Sequence, residues 1–497
     1  MSRHRRPSPT PEEDAAVHRP SLDDPMAAEA SEAIGGPVGA RARPHPWWTP
    51  VRIVLALACV TFLLGMLQKT PCVNQDWNST DQQRYGAMCY SDVPYLYAGR
   101  GFAERVLPFT DTDGRYQDLE YPVLIGYFAY GSALFTHLVE GWPDLVERQA
   151  FPDGEVFAAP GVNAEKSVFF VVTAIFLAFF ALGAAYLMAG AHRNRPWDAL
   201  PYVASPALVL TGLINWDYLA VCALAGAMFA WSRGRPLLSG LLIGVGAATK
   251  LYPLFLLGAL LVVCLRRREL RAFGLALGGT IVAWLALNLP AILTGFDHWK
   301  TFWTFNQERG PDLGSIWLVI AQATDEPIEF GTINLVSELF FASVCVGVLL
   351  LGLFARRTPR IAQLAFLIVC GFLLLNKVYS PQYVMWLLPL AVLARPRWRD
   401  LLIWQAAEIF YFAAIWWYLG QFTAPSATNT DDHVYWVAVV VRMLAEVWFA
   451  GLVVRDILRP DLDPVRADGV TDDPMHPEPD LSQDRAPIVD PLDPVPT

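Results

Sequence analysis

The chain reads as an all-α polytopic membrane protein of about twelve crossing helices, with a long polar loop after the first. Three features of its 497 residues predict this. Hydrophobic residues make up 54% of it and charged ones only 17%, and apolar runs recur through its middle. The connections between those runs alternate between short basic stretches and longer mixed or acidic ones. Eighteen Trp and seventeen Tyr suit the belts that aromatic rings form at two membrane interfaces.

A crossing needs roughly 20 apolar residues, and Lys and Arg gather on the cytoplasmic side. The expected spans are 49–68, 167–188, 199–214, 216–231, 237–248, 251–265, 272–293, 333–354, 361–376, 378–394, 401–420 and 435–457. With both termini cytoplasmic, the inner connections become HRNRPW, SRGRP, RRRELR, ARRTPR and RPRWRD, all short and basic. Several spans are short for a full crossing. Such pairs read as broken or partly re-entrant hairpins, or as single tilted helices, which would move SRGRP outside. The apolar stretch 121–138 poses the opposite question: as a span it would bring VEGWPDLVERQAFPDGE inside, so it is expected to lie along the outer surface. The first outer loop then covers 69–166.

The ends differ from the middle. Residues 1–48 are Pro- and Ala-rich, and 458–497 are acidic and Pro-rich, contributing to the net charge of -10. Neither holds enough apolar surface for a core, so both are expected to be disordered cytoplasmic tails around a membrane domain at 49–457. The N-terminal stretch lacks the apolar core of a cleaved signal peptide, which leaves insertion to the first span. Five of seven cysteines sit in apolar spans. Cys72 and Cys89 share the first loop, and an oxidising compartment there favours a disulfide over two free thiols. No His/Cys cluster suggests a metal, and no glycine-rich phosphate loop suggests a nucleotide; nothing points to nucleic acid.

Candidate chemistry lies at the outer turns. Lys250 in GVGAATKLYPLFLLG and Lys377 in GFLLLNKVYSPQYVMWLLP each put an ammonium at the hinge of an apolar hairpin, on the face where lysine is not expected. Snorkelling to headgroups is the plain explanation; an anion shared between the two is the functional one. Asp92 opens an amphipathic stretch, MCYSDVPYLYAGRGF, either as a helix cap with Ser91 or as a general base. Glu120 stands before the next apolar segment as a surface cap or a site carboxylate. The loop DHWKTFWTFNQERGPDLGSIW offers Arg309 for a phosphate fork and His298, which equally suits an ordinary loop histidine. Glu408, Arg442 and Glu446 lie inside the last two spans, as a buried ion pair or, in a carrier, as a proton path.

Taken in order, the Asp92 loop, EYP at 120–122, TKLYPLFL, NQERGPDLGS and KVYSPQYVMWLLP resemble glycosyltransferase family 87, membrane enzymes of the GT-C superfold similar to actinobacterial polyprenol-phosphate-mannose-dependent mannosyltransferases. The resemblance covers about residues 49 to 457. It implies a GT-C-like fold and an inverting transfer from a polyprenyl-phosphate sugar to a lipid or glycan acceptor outside the cytoplasmic membrane. Asp92 matches the family's base. Lys250 and Lys377 match its lysines, with Tyr252 and Gln382 in the same motifs among the substrate-binding residues, and His298 is a candidate. The donor is a co-substrate and no cofactor is implied. Arabinose as the donor sugar, or a transporter or flippase of lipid-linked sugar, are the competing readings.

Overall fold

The computed structural model describes residues 47–74, 77, 83–423, 433–467, 469 and 471–476. The N-terminal tail up to residue 46, and the chain after His476, lie outside the described residues. Two compact units divide the chain, Met1–Ile53 and Val54–Thr497. Of the first, only its last seven residues are described. The second carries the helical architecture.

All regular elements among the described residues are helical. Helix α1 (Pro50–Val73), which begins at the end of the first unit, leads into the polar loop with α2 (Gln83–Gly86) and α3 (Val93–Gly99). The same loop carries α4 (Val123–Glu140) and α5 (Leu145–Gln149) and ends at α6 (Val162–Ala191). Next come α7 (Leu200–Val203), α8 (Pro206–Thr211), α9 (Tyr218–Ser232), α10 (Pro236–Ala247) and α11 (Leu256–Arg267). Helices α12 (Leu270–Thr294), α13 (Phe296–Glu308), α14 (Ile316–Thr324) and α15 (Phe330–Phe354) follow. The last four are α16 (Ile361–Leu374), α17 (Val384–Ala394), α18 (Trp398–Thr423) and α19 (His433–Leu458).

Among the described residues seven helices are long and apolar enough to cross a membrane: α1, α4, α6, α12, α15, α18 and α19. Four shorter apolar helices, α9, α10, α16 and α17, accompany them. This is a multi-pass membrane protein. The span expected at 199–214 is broken, because Pro206 cannot donate to the preceding turn and Ser205 caps a new helix at Leu208 N. The short members form hairpins. Helix α10 has 12 residues, a rise of about 18 Å against a hydrocarbon core of about 30 Å.

The 121–138 segment differs from its expected position along the surface. Helix α4 stands antiparallel to the first half of α6: Phe128 packs on Phe176 and Phe180, Phe135 on Phe176. Further along, His137 meets Glu165 through the hydroxyl of Tyr97. Nor does α3 lie with a solvated face. Val93, Leu96, Tyr97 and Ala98 are buried, and the charges beyond it are paired, Arg100 with Glu120 and Glu104 with Arg115.

Helices α10 and α12 touch through backbone. A Cβ on Gly240 would stand 1.9 Å from Ala276 O, and one on Gly279 2.6 Å from Leu237 O. Small residues therefore set this approach, which fixes the hairpin that ends at Lys250.

The other ends of the helices carry the basic connections, and here the acidic tail departs from expectation. Its described part packs. Asp463 pairs with Arg360 at 2.8 Å with both side chains fully buried, and Asp472 meets Arg267 at 2.9 Å. Asp473 accepts from Ile361 N, and Pro474 O accepts from Arg193 N. Charge complementarity to arginines fixed at helix ends holds a stretch that composition alone reads as disordered.

Candidate active site

The loop after α1 is anchored before it reaches the site. A disulfide joins Cys72 to Cys89, with Cα atoms 5.8 Å apart, and the buried Lys69 donates to Tyr90 O at 2.8 Å. Asp92 N and Ser91 Oγ both donate to Ile214 O, at 2.8 and 3.1 Å. The start of α3 is thereby attached to the turn before α9.

Asp92 occupies the N-cap position of α3 yet its side chain makes no cap bond; Ser91 Oγ accepts from Val93 N instead. The carboxylate faces the other way. Its Oδ2 accepts from Asn215 Nδ2 at 2.9 Å and from Tyr121 OH at 3.4 Å, and Asn215 also reaches Tyr121 OH at 3.1 Å. Burial raises the Asp92 carboxyl above the ordinary range, while Tyr90, the Lys250 charge and Asn215 pull it back.

Lys250 follows α10. Its Nζ lies 3.8 Å from Asp217 Oδ1 and 5.1 Å from the Tyr121 ring centre. Asp217 is buried and accepts from Trp386 Nε1 at 2.8 Å, while its second oxygen has no partner among the described residues. Lys377, in the turn after α16, donates to Asn306 O at 2.7 Å, to Gln307 O at 3.3 Å and to Asn334 Oδ1. Burial first, then the charge of Arg309, lower its ammonium below the usual lysine range.

These turns open onto one cavity of about 680 Å³, lined by Asp92, Glu120, Lys250, Arg309, Lys377 and Gln382. That volume suits a bound small molecule. Asn215 and Tyr121 wall one side of it; Phe302, Trp303, Phe341 and Phe372 furnish aromatic surface. Besides Lys250, two lining charges are already matched: Glu120 is forked by Arg100 at 2.7 and 3.0 Å, and Arg309 reaches Asp312 through Nε at 2.5 Å. Gln382 Oε1 accepts from Ser380 Oγ at 2.5 Å.

Two expected binding residues do not line the cavity. Tyr252 is buried, its ring stacked at 4.7 Å on Trp386, which itself lines the cavity. His298 sits a turn before the cavity-facing part of α13 and bonds Asp118 at 2.6 Å. Glu408, Arg442 and Glu446 are likewise elsewhere. Arg442 pairs with Glu446 at 3.0 Å and lies 3.5 Å over the Tyr379 ring, and Glu408 accepts from Trp404 Nε1. Among the described residues no three His, Cys, Asp or Glu side chains form a group able to hold a metal.

Sequence patterns did not single out Asn215 and Asp217. Their signal was the polar NWD turn between two apolar runs, the same kind of position as Lys250.

Comparison with known proteins agrees with the motifs from residue 249 onward and covers less than the 49–457 expected from the resemblance. The model of glycosyltransferase family 87 matches residues 156–381, a span that includes Asn215, Asp217, Lys250, Arg309 and Lys377 but begins after Asp92. No curated protein matches the chain.

Proposed function

As a membrane glycosyltransferase of family 87, we propose, this protein transfers mannose from a polyprenyl-phosphate donor to a lipid or glycan acceptor, with inversion, at the extracytoplasmic membrane face. The observation that carries the reading is the convergence of one half-buried carboxylate and two ammonium groups on a single cavity. In this reading the donor phosphate lies against Lys250 and Lys377, with the polyprenyl chain leaving along the aromatic wall.

Asp92 takes the proton from the acceptor hydroxyl as that oxygen bonds to the anomeric carbon. The bond from that carbon to the phosphate oxygen breaks on the opposite face, and the electron pair stays with polyprenyl phosphate. Negative charge grows on the leaving phosphate, so fixed ammonium groups there favour the transition state over the ground state. Asn215 and Tyr121 hold the carboxylate in place, and Asp217 fixes Lys250. A carrier would need mobile charges along a path; Arg442 and Glu446 are closed on each other and none of that trio lines the cavity.

The test is turnover by purified protein in detergent, without a membrane gradient, from radiolabelled polyprenyl-phosphate mannose or arabinose to a lipid glycoside. Labelled product with inverted anomeric configuration from the mannose donor is expected. Absence of product with either donor, or retention of configuration, would refute the reading.

A further inference from the structure

A second cavity, of about 500 Å³, lies within the first polar loop and takes no part in the chemistry above. It shares a wall with the first. Arg100 lines the second cavity while its bidentate partner Glu120 lines the first. Beside this pair, Tyr95 of the second cavity stacks on Tyr90 of the first with ring centres 5.5 Å apart. Two side-chain contacts thus link the linings of the two spaces.

The second cavity is built on rigid support. Arg115 lines it and is held from several sides: by Glu104 at 2.7 and 2.9 Å, by Asp153 at 2.9 Å, and by the carbonyls of Phe151 and Arg148. The backbone around it repeatedly enters the left-handed region, at Gly101 (φ 75°), Arg105 (φ 58°), Phe109 (φ 61°), Asp113 (φ 51°) and Gly114 (φ 78°). At its edge the ring of Phe157 is half exposed, with Gln117 exposed beside the cavity.

From these features we propose that the second cavity is the acceptor subsite for carbohydrate, holding the sugar units that precede the hydroxyl presented to Asp92. The inference rests on the transferase reading and adds the acceptor class to it. A half-exposed aromatic ring, with Lys166 Nζ 5.9 Å from its centre, a planar amide and fixed guanidinium and carboxylate groups give a sugar ring both apolar surface and directional hydrogen bonds. An oligosaccharide reaching from this cavity across the Arg100–Glu120 pair brings its terminal unit to the first cavity. Binding remote units then helps position the reacting one.

Linear manno-oligosaccharides of one to four units, titrated calorimetrically into the full-length protein in detergent, test this. The affinity of the wild-type protein should rise about tenfold or more between one unit and three, a step of about 1.4 kcal/mol. Phe157→Ala combined with Gln117→Ala should remove that gain while leaving the single unit and polyprenyl phosphate bound as before. Phe157→Tyr, which keeps the aromatic face, should retain it. Affinity independent of length, no oligosaccharide binding at all, or an equal loss for one unit and three would each overturn the subsite. The transferase reading stands or falls separately, on label transfer from the donor.

Discussion

At the scale of single residues, Asp92 is a base only while its carboxyl is ionised. Burial raises its pKa above the ordinary carboxylate value of 3.8, so below that raised value the group is protonated and cannot accept a proton. Activity should therefore fall on the acid side at a higher pH than an exposed aspartate would give. Asn215→Ala removes a hydrogen bond that favours the charged form, which raises the carboxyl further. A bond to a charged group is worth roughly 1.5–3 kcal/mol, so the acid limb of kcat/KM should move up by about one to two pH units; an unmoved limb would show that Asn215 does not orient the base. Lys250→Gln should weaken binding of a short polyprenyl phosphate by about ten- to a hundredfold in a calorimetric titration. Unchanged affinity would put the phosphate elsewhere. Lys250 and Lys377 were legible because a charge in an apolar run demands a partner. Asn215 and Asp217 were not, since short polar residues in a turn have an ordinary solvent explanation. The places of Tyr252 and His298 depended on how a helix is rotated, and a one-turn difference is invisible to a motif.

At the scale of elements, hydropathy located the long helices well, because an apolar run of that length has few other uses. Its failures have physical causes. Helix α4 was assigned to the surface by charge bookkeeping, which weighs the residues flanking a helix and ignores the phenylalanines of α6 that pack against it. The loop bearing Asp92 depends on the Cys72–Cys89 link. Replacing both cysteines by serine should lower stability by about 3 kcal/mol through the extra freedom of the unfolded loop, and should slow transfer by loosening Asp92. Thermal unfolding with and without reductant measures the first effect; equal midpoints would show that the loop is held by Lys69 and the Ile214 carbonyl alone.

At the scale of the whole second unit, the site and the basic connections occupy opposite ends of the same helices, and the C-terminal stretch ties the basic end together. Composition could not reveal this, because the aspartates that read as a solvated tail are matched to arginines far away in sequence. Asp463→Asn leaves Arg360 buried beside a neutral amide, which should cost about 3–5 kcal/mol and appear as a lower unfolding midpoint. A midpoint equal to wild type would mean the pairing contributes nothing. The central claim, that Asp92 is the base at a phosphate-holding cavity, is tested most directly by single-turnover transfer in Asp92→Asn with the donor already bound. The expected result is donor binding as in wild type and a rate lowered by about 10²–10⁴-fold, the range for a general base. Transfer at the wild-type rate would contradict the account.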